Sequence, residues 1–240
     1  MKRFVILGLP RSGTTYLMTL LDAHRNVKCA GEQFNPYTVI GVAGEADDTH
    51  KAVLGRDKDP VAHMRLFFET AQAKGIACAG FKFMIGHNIS ILQELARDPD
   101  LSIIYVWREN KLAQVSSLIK AANSKKWAQT KADDHVARKV RATPRQISHR
   151  WHEYATFDHL ISMWLAALPN PKMTCEYREM FADGFEEDIC TFLDVPYRRG
   201  MKSPLVKQGS NSIEKRFEDP KPIRYYFNQV GLGRWLEDEL

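Results

Sequence analysis

Short apolar bursts alternate along the chain with longer stretches in which apolar residues recur every three or four positions. Lys2–Gly8 (Lys-Arg-Phe-Val-Ile-Leu-Gly) is a brief, β-branched-containing burst and reads as a buried strand. Met18–Ala23 has helical spacing, and Val27–Ala30 is long enough only for an edge or second strand. Val61–Lys74 is helical in pattern and stops at Gly75. Ala77–Ile85 is a small-residue-rich strand and Ile89–Ala96 a short helix ending at Arg97-Asp98-Pro99. Leu101–Trp107 is a continuous apolar run of the kind found in central parallel strands. A helix opens at Glu109-Asn110-Lys111 and runs through Ala122, with Leu112, Val115, Leu118 and Ile119 on one face. A long amphipathic helix over Ile147–Ala167, a last strand over Lys172–Tyr177, a helix over Asp183–Leu193 and a helical tail over Tyr225–Leu240 complete the pattern. Alternation along the whole length predicts an α/β fold, a three-layer sandwich with a mostly parallel central sheet, as one domain over 1–240. Residues 36–60, 124–150 and 200–222 lack clear periodicity and read as loops around a site.

The first strand and first helix are joined by Leu9-Pro10-Arg11-Ser12-Gly13-Thr14-Thr15-Tyr16-Leu17. Strand, glycine-containing turn and helix start form a phosphate cradle: backbone N–H groups point at the anion and the helix dipole adds favourable potential. The spacing from Gly8 to Gly13 matches the P-loop, but Thr14 stands where the triphosphate-binding lysine would be, and a cation, Arg11, precedes the second glycine. The stretch reads as a phosphate loop that is not built for a nucleoside triphosphate. The plainer alternative is a strand-turn-helix corner with incidental Gly and Thr.

Other polar residues fall at strand ends, where open α/β sheets bind ligands. Glu32 ends the second strand and would face what the first loop holds; a solvated carboxylate is the alternative. Lys82 is the one charge in an apolar strand and reads either as pointing into a polar site or as a snorkelling edge-strand lysine. Arg108 follows the clearest strand and offers a bidentate fork for phosphate. Ser116 and Ser117 lie about two turns further on, where a helical serine commonly bonds back to its own helix. The basic stretch 124–150 is a solvated charged loop or a mobile one with Trp127 as a stacking residue.

Composition narrows the partners. With 44% hydrophobic and 26% charged residues the chain is ordinary for a globular protein, and its longest apolar runs fall short of the ~18 residues that span a bilayer. Met1-Lys2-Arg3 and the short run after it lead straight into the loop rather than resembling a signal peptide, so a cytoplasmic protein without a transmembrane segment is expected. The net charge of +5 suits an anionic ligand; the basic residues are scattered rather than striped, which disfavours nucleic acid. Four cysteines without paired metal spacing predict buried free thiols.

Pro10-Arg11-Ser12-Gly13-Thr14-Thr15, with Arg108 and a serine eight residues later at Ser116, resembles the sulfotransferases that use 3′-phosphoadenylyl sulfate (PAPS). Asp22-Ala23-His24 to Gly31-Glu32, and Lys82 in Phe81-Lys82-Phe83, are similar to tyrosylprotein sulfotransferases. Gly31-Glu32, Arg108 through Trp127, Glu176-Tyr177 and Lys207-Gln208 resemble bacterial carbohydrate sulfotransferases of the nodulation-factor, lipopolysaccharide and trehalose types. Residues 36–60 match nothing in this pattern, and the histidine base of the cytosolic small-molecule enzymes has no evident counterpart.

The resemblance implies PAPS as donor, adenosine 3′,5′-bisphosphate as product and no metal. It implies that Arg11, Ser12, Gly13, Thr14 and Thr15 bind the 5′-phosphosulfate, that Arg108 and Ser116 bind the 3′-phosphate, and that Lys207, Gln208 and Ser210 belong to a segment closing over the nucleotide. Glu32 would be the general base, with Arg11 and Lys82 offsetting charge on the sulfuryl group and bridging oxygen. The acceptor implied is a carbohydrate or glycolipid hydroxyl, with a phenol or small alcohol as alternative; a peripheral contact with a lipid-linked acceptor and a homodimer are compatible with it. Readings from other classes are a P-loop kinase-like phosphotransferase and a polyanion-binding protein.

Overall fold

A computed structural model describes residues 1–124, 127, 139–205 and 209–240. Along the chain the elements are β1 (Lys2–Gly8), α1 (Thr14–Asp22), β2 (Val27–Glu32), β3 (Val39–Ile40), β4 (Ala46–Asp47), α2 (His50–Lys58), α3 (Pro60–Ala73), β5 (Cys78–Met84), α4 (Ile89–Arg97), β6 (Ser102–Trp107), α5 (Lys111–Ser124), α6 (Pro144–Ala167), β7 (Lys172–Glu176), α7 (Phe185–Phe192) and α8 (Pro220–Gln229). They divide into two compact units. Met1–Leu9, Gly13–Trp107 and Leu165–Ser203 form the first; Pro10–Ser12, Arg108–Trp164 and Pro204–Leu240 form the second.

The first unit is built on a five-stranded sheet in the order β2-β5-β1-β6-β7, with every neighbouring pair parallel. Side chains alternate across it. Phe4 and Ile6 join Leu17, Leu20 and Leu21 of α1 and Ile189 of α7 in one buried cluster. On the opposite face Phe81 packs edge-on against Phe34 and Phe67, and tilted against Phe68 of α3. The sheet is therefore covered on both sides, as a parallel sheet requires. Gly80 of β5 has no side chain because the Phe4 ring stands 2.5 Å from where its Cβ would be.

Local signals account for the helices. Asp59 caps α3 by accepting from Ala62 N at 2.9 Å, Pro60 pre-sets the first turn, and Met64, Phe67, Phe68 and Ala71 recur on the buried face. Asn88 caps α4 in the same way at 3.1 Å. The irregular loop expected over 36–60 is instead a β3–β4 hairpin followed by α2, which Thr49 caps at 3.2 Å from Ala52 N. The apolar pattern missed this helix because its one buried residue is a charged one, Arg56.

The second unit has its own core, in which Leu112 and Val115 of α5 and Ile147 of α6 cluster with Ile213, Phe217, Ile223, Phe227 and Trp235. Asn110 caps α5, accepting from Ala113 N at 2.9 Å. Thr143 and Gln146 form a reciprocal capping pair (2.9 and 3.3 Å) that starts α6 three residues before the expected Ile147. The helical tail expected over Tyr225–Leu240 begins earlier, where Asp219 caps and Pro220 opens α8, and it ends at Gln229. Gly231, at φ 75°, breaks it. A short 3-10 turn over Gly233–Leu236 follows, then an extended segment in which Asp238 bridges Ser212. The expected loop 200–222 likewise holds a 3-10 turn over Glu214–Arg216.

Candidate active site

In the first unit, the turn after β1 delivers the chain to α1 through Gly13, whose φ of 110° is left-handed. A Cβ there would lie 2.6 Å from Met180 Cε and 2.8 Å from Tyr177 Cδ2, so both backbone and space demand glycine. The first N–H groups of α1 have no intrahelical acceptor by geometry, and no acidic side chain occupies its first turn. The Thr14 hydroxyl turns inward to Met84 Sδ at 3.8 Å. The Thr15 hydroxyl instead accepts from Lys82 Nζ at 2.8 Å.

Lys82 is nearly buried on β5, between β2 and β1 rather than at an edge, and its Nζ lies 2.8 Å from Glu32 Oε1. The register of β2 explains the pairing. Ala30 sits opposite Phe81 and Glu32 opposite Lys82, so Gly31 is the extra residue of a bulge. In regular register Gly31 would face Lys82, and Glu32 would point with Phe83 to the other side of the sheet. Asn35 Nδ2 donates to Glu32 Oε2 at 2.7 Å, and His87 Nε2 stands 4.0 Å from that oxygen. Burial raises the Glu32 pKa, but Lys82, by charge and hydrogen bond, together with Asn35 and His87, outweighs it and holds the carboxyl below its ordinary range. Burial also lowers the His87 pKa, with Lys82 and Arg56 adding to burial against Glu32, so the imidazole is neutral near pH 7.

In the second unit, Arg11 adopts φ 64°, a left-handed conformation that costs a non-glycine residue ~1–3 kcal/mol. It is held there from several sides. Arg11 O accepts from Arg108 Nη1 at 3.1 Å, Arg11 Nε donates to Ser117 Oγ at 2.9 Å, and Arg11 Nη1 donates to the carbonyl of Trp127. Gln114 Nε2 donates to Pro10 O at 2.9 Å. Ser12 is buried, and its hydroxyl lacks a hydrogen-bond partner among the described residues. Arg108 is also buried; its Nε donates to Glu239 Oε1 at 2.6 Å and its Nη2 to Glu239 Oε2. Ser116 Oγ donates back to Ala113 O at 3.0 Å and accepts from Arg216 Nη1 at 3.3 Å.

Of the residues singled out from sequence, Thr15, Lys82 and Glu32 come together in the first unit. Arg108 meets Arg11 in the second, where Ser116 meets Arg216. The carbonyl of Ser210 accepts from Arg216 Nε at 2.8 Å. Lys207 and Gln208 lie outside the described residues. Sequence reasoning missed Asn35, His87, Arg216 and Glu239. His87 follows the carboxyl end of β5 and could have been flagged by the strand-end rule; Arg216 and Glu239 lie far along the chain and carried no pattern. Among the described residues no cluster of three or more His, Cys, Asp or Glu side chains is placed to hold a metal, and no helix is long and apolar enough to cross a membrane.

Comparison with known proteins finds similar sequences and a shared fold. Residues 3–79, which include the loop after β1 and Glu32, match the family model described as Sulfotransferase family. Nodulation protein H of Rhizobium meliloti (strain 1021) is 29% identical over 54% of this chain, and the match spans only 51% of that protein. Nodulation protein H of Rhizobium tropici is 23% identical over 98% of this chain and 92% of its own length. A crystal structure of a sulfotransferase from Alicyclobacillus acidocaldarius shares the fold, with a TM-score of 0.52, 14% identity, and coverage of 100% of this chain and 97% of that one.

Proposed function

We propose that this chain, a sulfotransferase related to the nodulation-type proteins, moves a sulfuryl group from PAPS to an acceptor hydroxyl on a carbohydrate or glycolipid by in-line displacement. The observation that carries the reading is the run from Thr15 through Lys82 to Glu32. One lysine joins a hydroxyl in the first turn of α1 to a carboxylate held ionised, at 2.8 Å on each side.

The roles follow from charge. The acceptor oxygen attacks sulfur, its proton passes to Glu32, and the bond from sulfur to the bridging oxygen breaks to leave adenosine 3′,5′-bisphosphate. An ionised Glu32 is in the state a base needs, and general base catalysis is typically worth ~10²–10⁴-fold. Lys82 offsets charge on the bridging oxygen and Arg11 on the sulfuryl group, which carries less charge than a phosphoryl group. The first N–H groups of α1, with Gly13 and Thr15, take the 5′-phosphate; the inward turn of Thr14 limits it to its backbone N–H. Arg108 and Ser116 take the 3′-phosphate, and the orphaned hydroxyl of Ser12 fits a loop completed by ligand. Ser210, with Lys207 and Gln208, is assigned to the nucleotide side, and the protein works in the cytoplasm.

The test is a screen of sugar, glycolipid, phenol and small-alcohol acceptors with ³⁵S-labelled PAPS, repeated with Glu32→Gln. The wild type should label a sugar hydroxyl, while Glu32→Gln should bind adenosine 3′,5′-bisphosphate normally and lose ~10²-fold or more in turnover. Near-normal turnover by Glu32→Gln removes the base assignment, and labelling of phenols alone removes the carbohydrate one.

A further inference from the structure

We propose that Glu239 is a built-in competitor of the nucleotide: its carboxylate occupies an anion site formed by Arg108 and Arg216, and the 3′-phosphate binds by displacing it. This rests on the reading of Arg108 and Ser116 as 3′-phosphate ligands, and it adds Arg216 to them.

Arg108 grips Glu239 with both faces of its fork, Nε to Oε1 at 2.6 Å and Nη2 to Oε2. Arg216 Nη2 approaches Oε2 at 3.5 Å, while its Nη1 donates to Ser116 Oγ at 3.3 Å and its Nε to Ser210 O at 2.8 Å. The side chains of both partners are almost completely buried, 6% exposed for Arg108 and 1% for Glu239. Two guanidinium groups around one carboxylate, one of them also bonded to the Ser116 hydroxyl, reproduce the donor set that arginine uses for phosphate oxygens.

Two guanidinium groups approach this one carboxylate, and Lys120 feels them: burial depresses its pKa, and Arg216 and Arg11 depress it further. A phosphate monoester, carrying about −1.5 to −2 near neutral pH, matches two guanidinium groups better than one carboxylate does. It cannot share them with Glu239, because two anions within hydrogen-bond distance of the same donors repel.

The segment that carries Glu239 is anchored in a way that lets it yield. It is held by the Ser212–Asp238 bridge, by Glu239 N to Asn211 O at 3.2 Å and by Leu240 N to Asn211 Oδ1 at 2.9 Å. Glu237, Asp238 and Leu240 on either side of Glu239 are exposed, and backbone hydrogen bonds open to solvent are where local opening costs least. Between turnovers Glu239 keeps two buried cations paired, since unpaired buried charges are strongly destabilising. Once transfer has occurred, its return to the arginines helps expel adenosine 3′,5′-bisphosphate, a step of the kind that often limits turnover.

Calorimetric titration of the wild type and Glu239→Gln with adenosine 3′,5′-bisphosphate and with adenosine 5′-monophosphate tests the inference. The amide keeps the shape and an acceptor oxygen but removes the charge. Glu239→Gln should bind the bisphosphate about tenfold more tightly and leave the monophosphate within about twofold. Unchanged or weaker bisphosphate binding overturns the competitor role, as does an equal gain for both ligands. Should Glu239→Gln melt lower than the wild type, the rise in melting temperature on adding saturating bisphosphate is compared instead, and it must be larger in the variant. Arg108→Ala separates the two layers of argument. If it abolishes the preference for bisphosphate but Glu239→Gln changes nothing, only the competitor role falls; if neither wild type nor Glu239→Gln prefers the bisphosphate, the 3′-phosphate reading falls and the competitor with it.

Discussion

Glu32 and Lys82 stand opposite each other across β2 and β5, 2.8 Å apart, because one extra residue interrupts the register between them. Lys82 is the main cause holding the Glu32 carboxyl below its ordinary pKa against burial, so Glu32 is fully ionised above the ordinary carboxylate range. Replacing Lys82 with Met leaves burial to dominate and raises that pKa. The acid limb of the kcat/KM–pH profile should therefore move to higher pH in Lys82→Met, beyond any loss in maximal rate. The stability that the pair supplies is present above the unfolded carboxyl value and fades as pH falls through the folded one. A profile whose acid limb stays in place counts against the coupling of these residues in function.

The bulge itself is testable at Gly31. A Cβ there would already lie 2.7 Å from Ile40 Cδ1, and a β-branched side chain favours a regular strand. In Gly31→Val the register should regularise and carry Glu32 to the Phe83 side of the sheet. Turnover should then fall ~10²-fold or more, as for loss of the base, while bisphosphate affinity measured by calorimetry stays near the wild-type value. Full activity would show that the bulge does not aim Glu32.

The strands of the first unit were legible because parallel strands covered on both faces are continuously apolar; β1 and Leu101–Trp107 announce themselves in this way. Thr15 and Glu32 were legible as polar residues at a helix start and a strand end, and Lys82 as the one charge within an apolar strand. What the pattern could not carry was a helix with a buried charge, as in α2, or a pairing whose partners are far apart, such as Arg108 with Glu239 over 131 residues. The bulge was hidden for another reason. A single inserted residue leaves composition unchanged and is defined only by the partner strand.

Gly13 combines a left-handed backbone with contacts to Met180 and Tyr177 that leave no room for a methyl group. Gly13→Ala should destabilise the protein by about 2–5 kcal/mol, the sum of the left-handed penalty and of overpacking. Urea unfolding followed by far-ultraviolet circular dichroism gives this number. A loss under ~0.5 kcal/mol would mean that the turn into α1 adjusts freely.

All four cysteines are free and buried. Burial pushes Cys78 and Cys175 each up to about 12, Cys29 well above its ordinary value, and Cys190 upward as well. At pH 8 the native protein should show no fast reaction with a thiol-specific chromogenic disulfide, whereas guanidinium-unfolded protein should titrate all four thiols. A rapid stoichiometric reaction in the native state would identify a thiolate that this burial forbids.

Arg56 bears on Glu32 from a distance. Its Nη1 donates to Gln33 O at 3.2 Å, Asn35 O at 2.7 Å and Thr38 O at 3.0 Å, while its Nε bonds Asp57 at 2.8 Å. These bonds fix the turn after β2, and with it Asn35, whose amide holds Glu32 Oε2 at 2.7 Å. Arg56→Ala leaves those carbonyls without their cation and should cost about 3 kcal/mol of stability. Because Asn35 is one of the groups that lower the Glu32 pKa, a loosened turn should also move the acid limb of kcat/KM to higher pH. The direction matches Lys82→Met, and the extent should be smaller because Lys82 outranks Asn35 among the causes. Asn35→Ala should reproduce the pH effect with much less loss of stability, since it removes the bond to Glu32 and leaves the backbone clamp intact. A stability loss in Arg56→Ala with an unmoved acid limb would confine Arg56 to holding the turn.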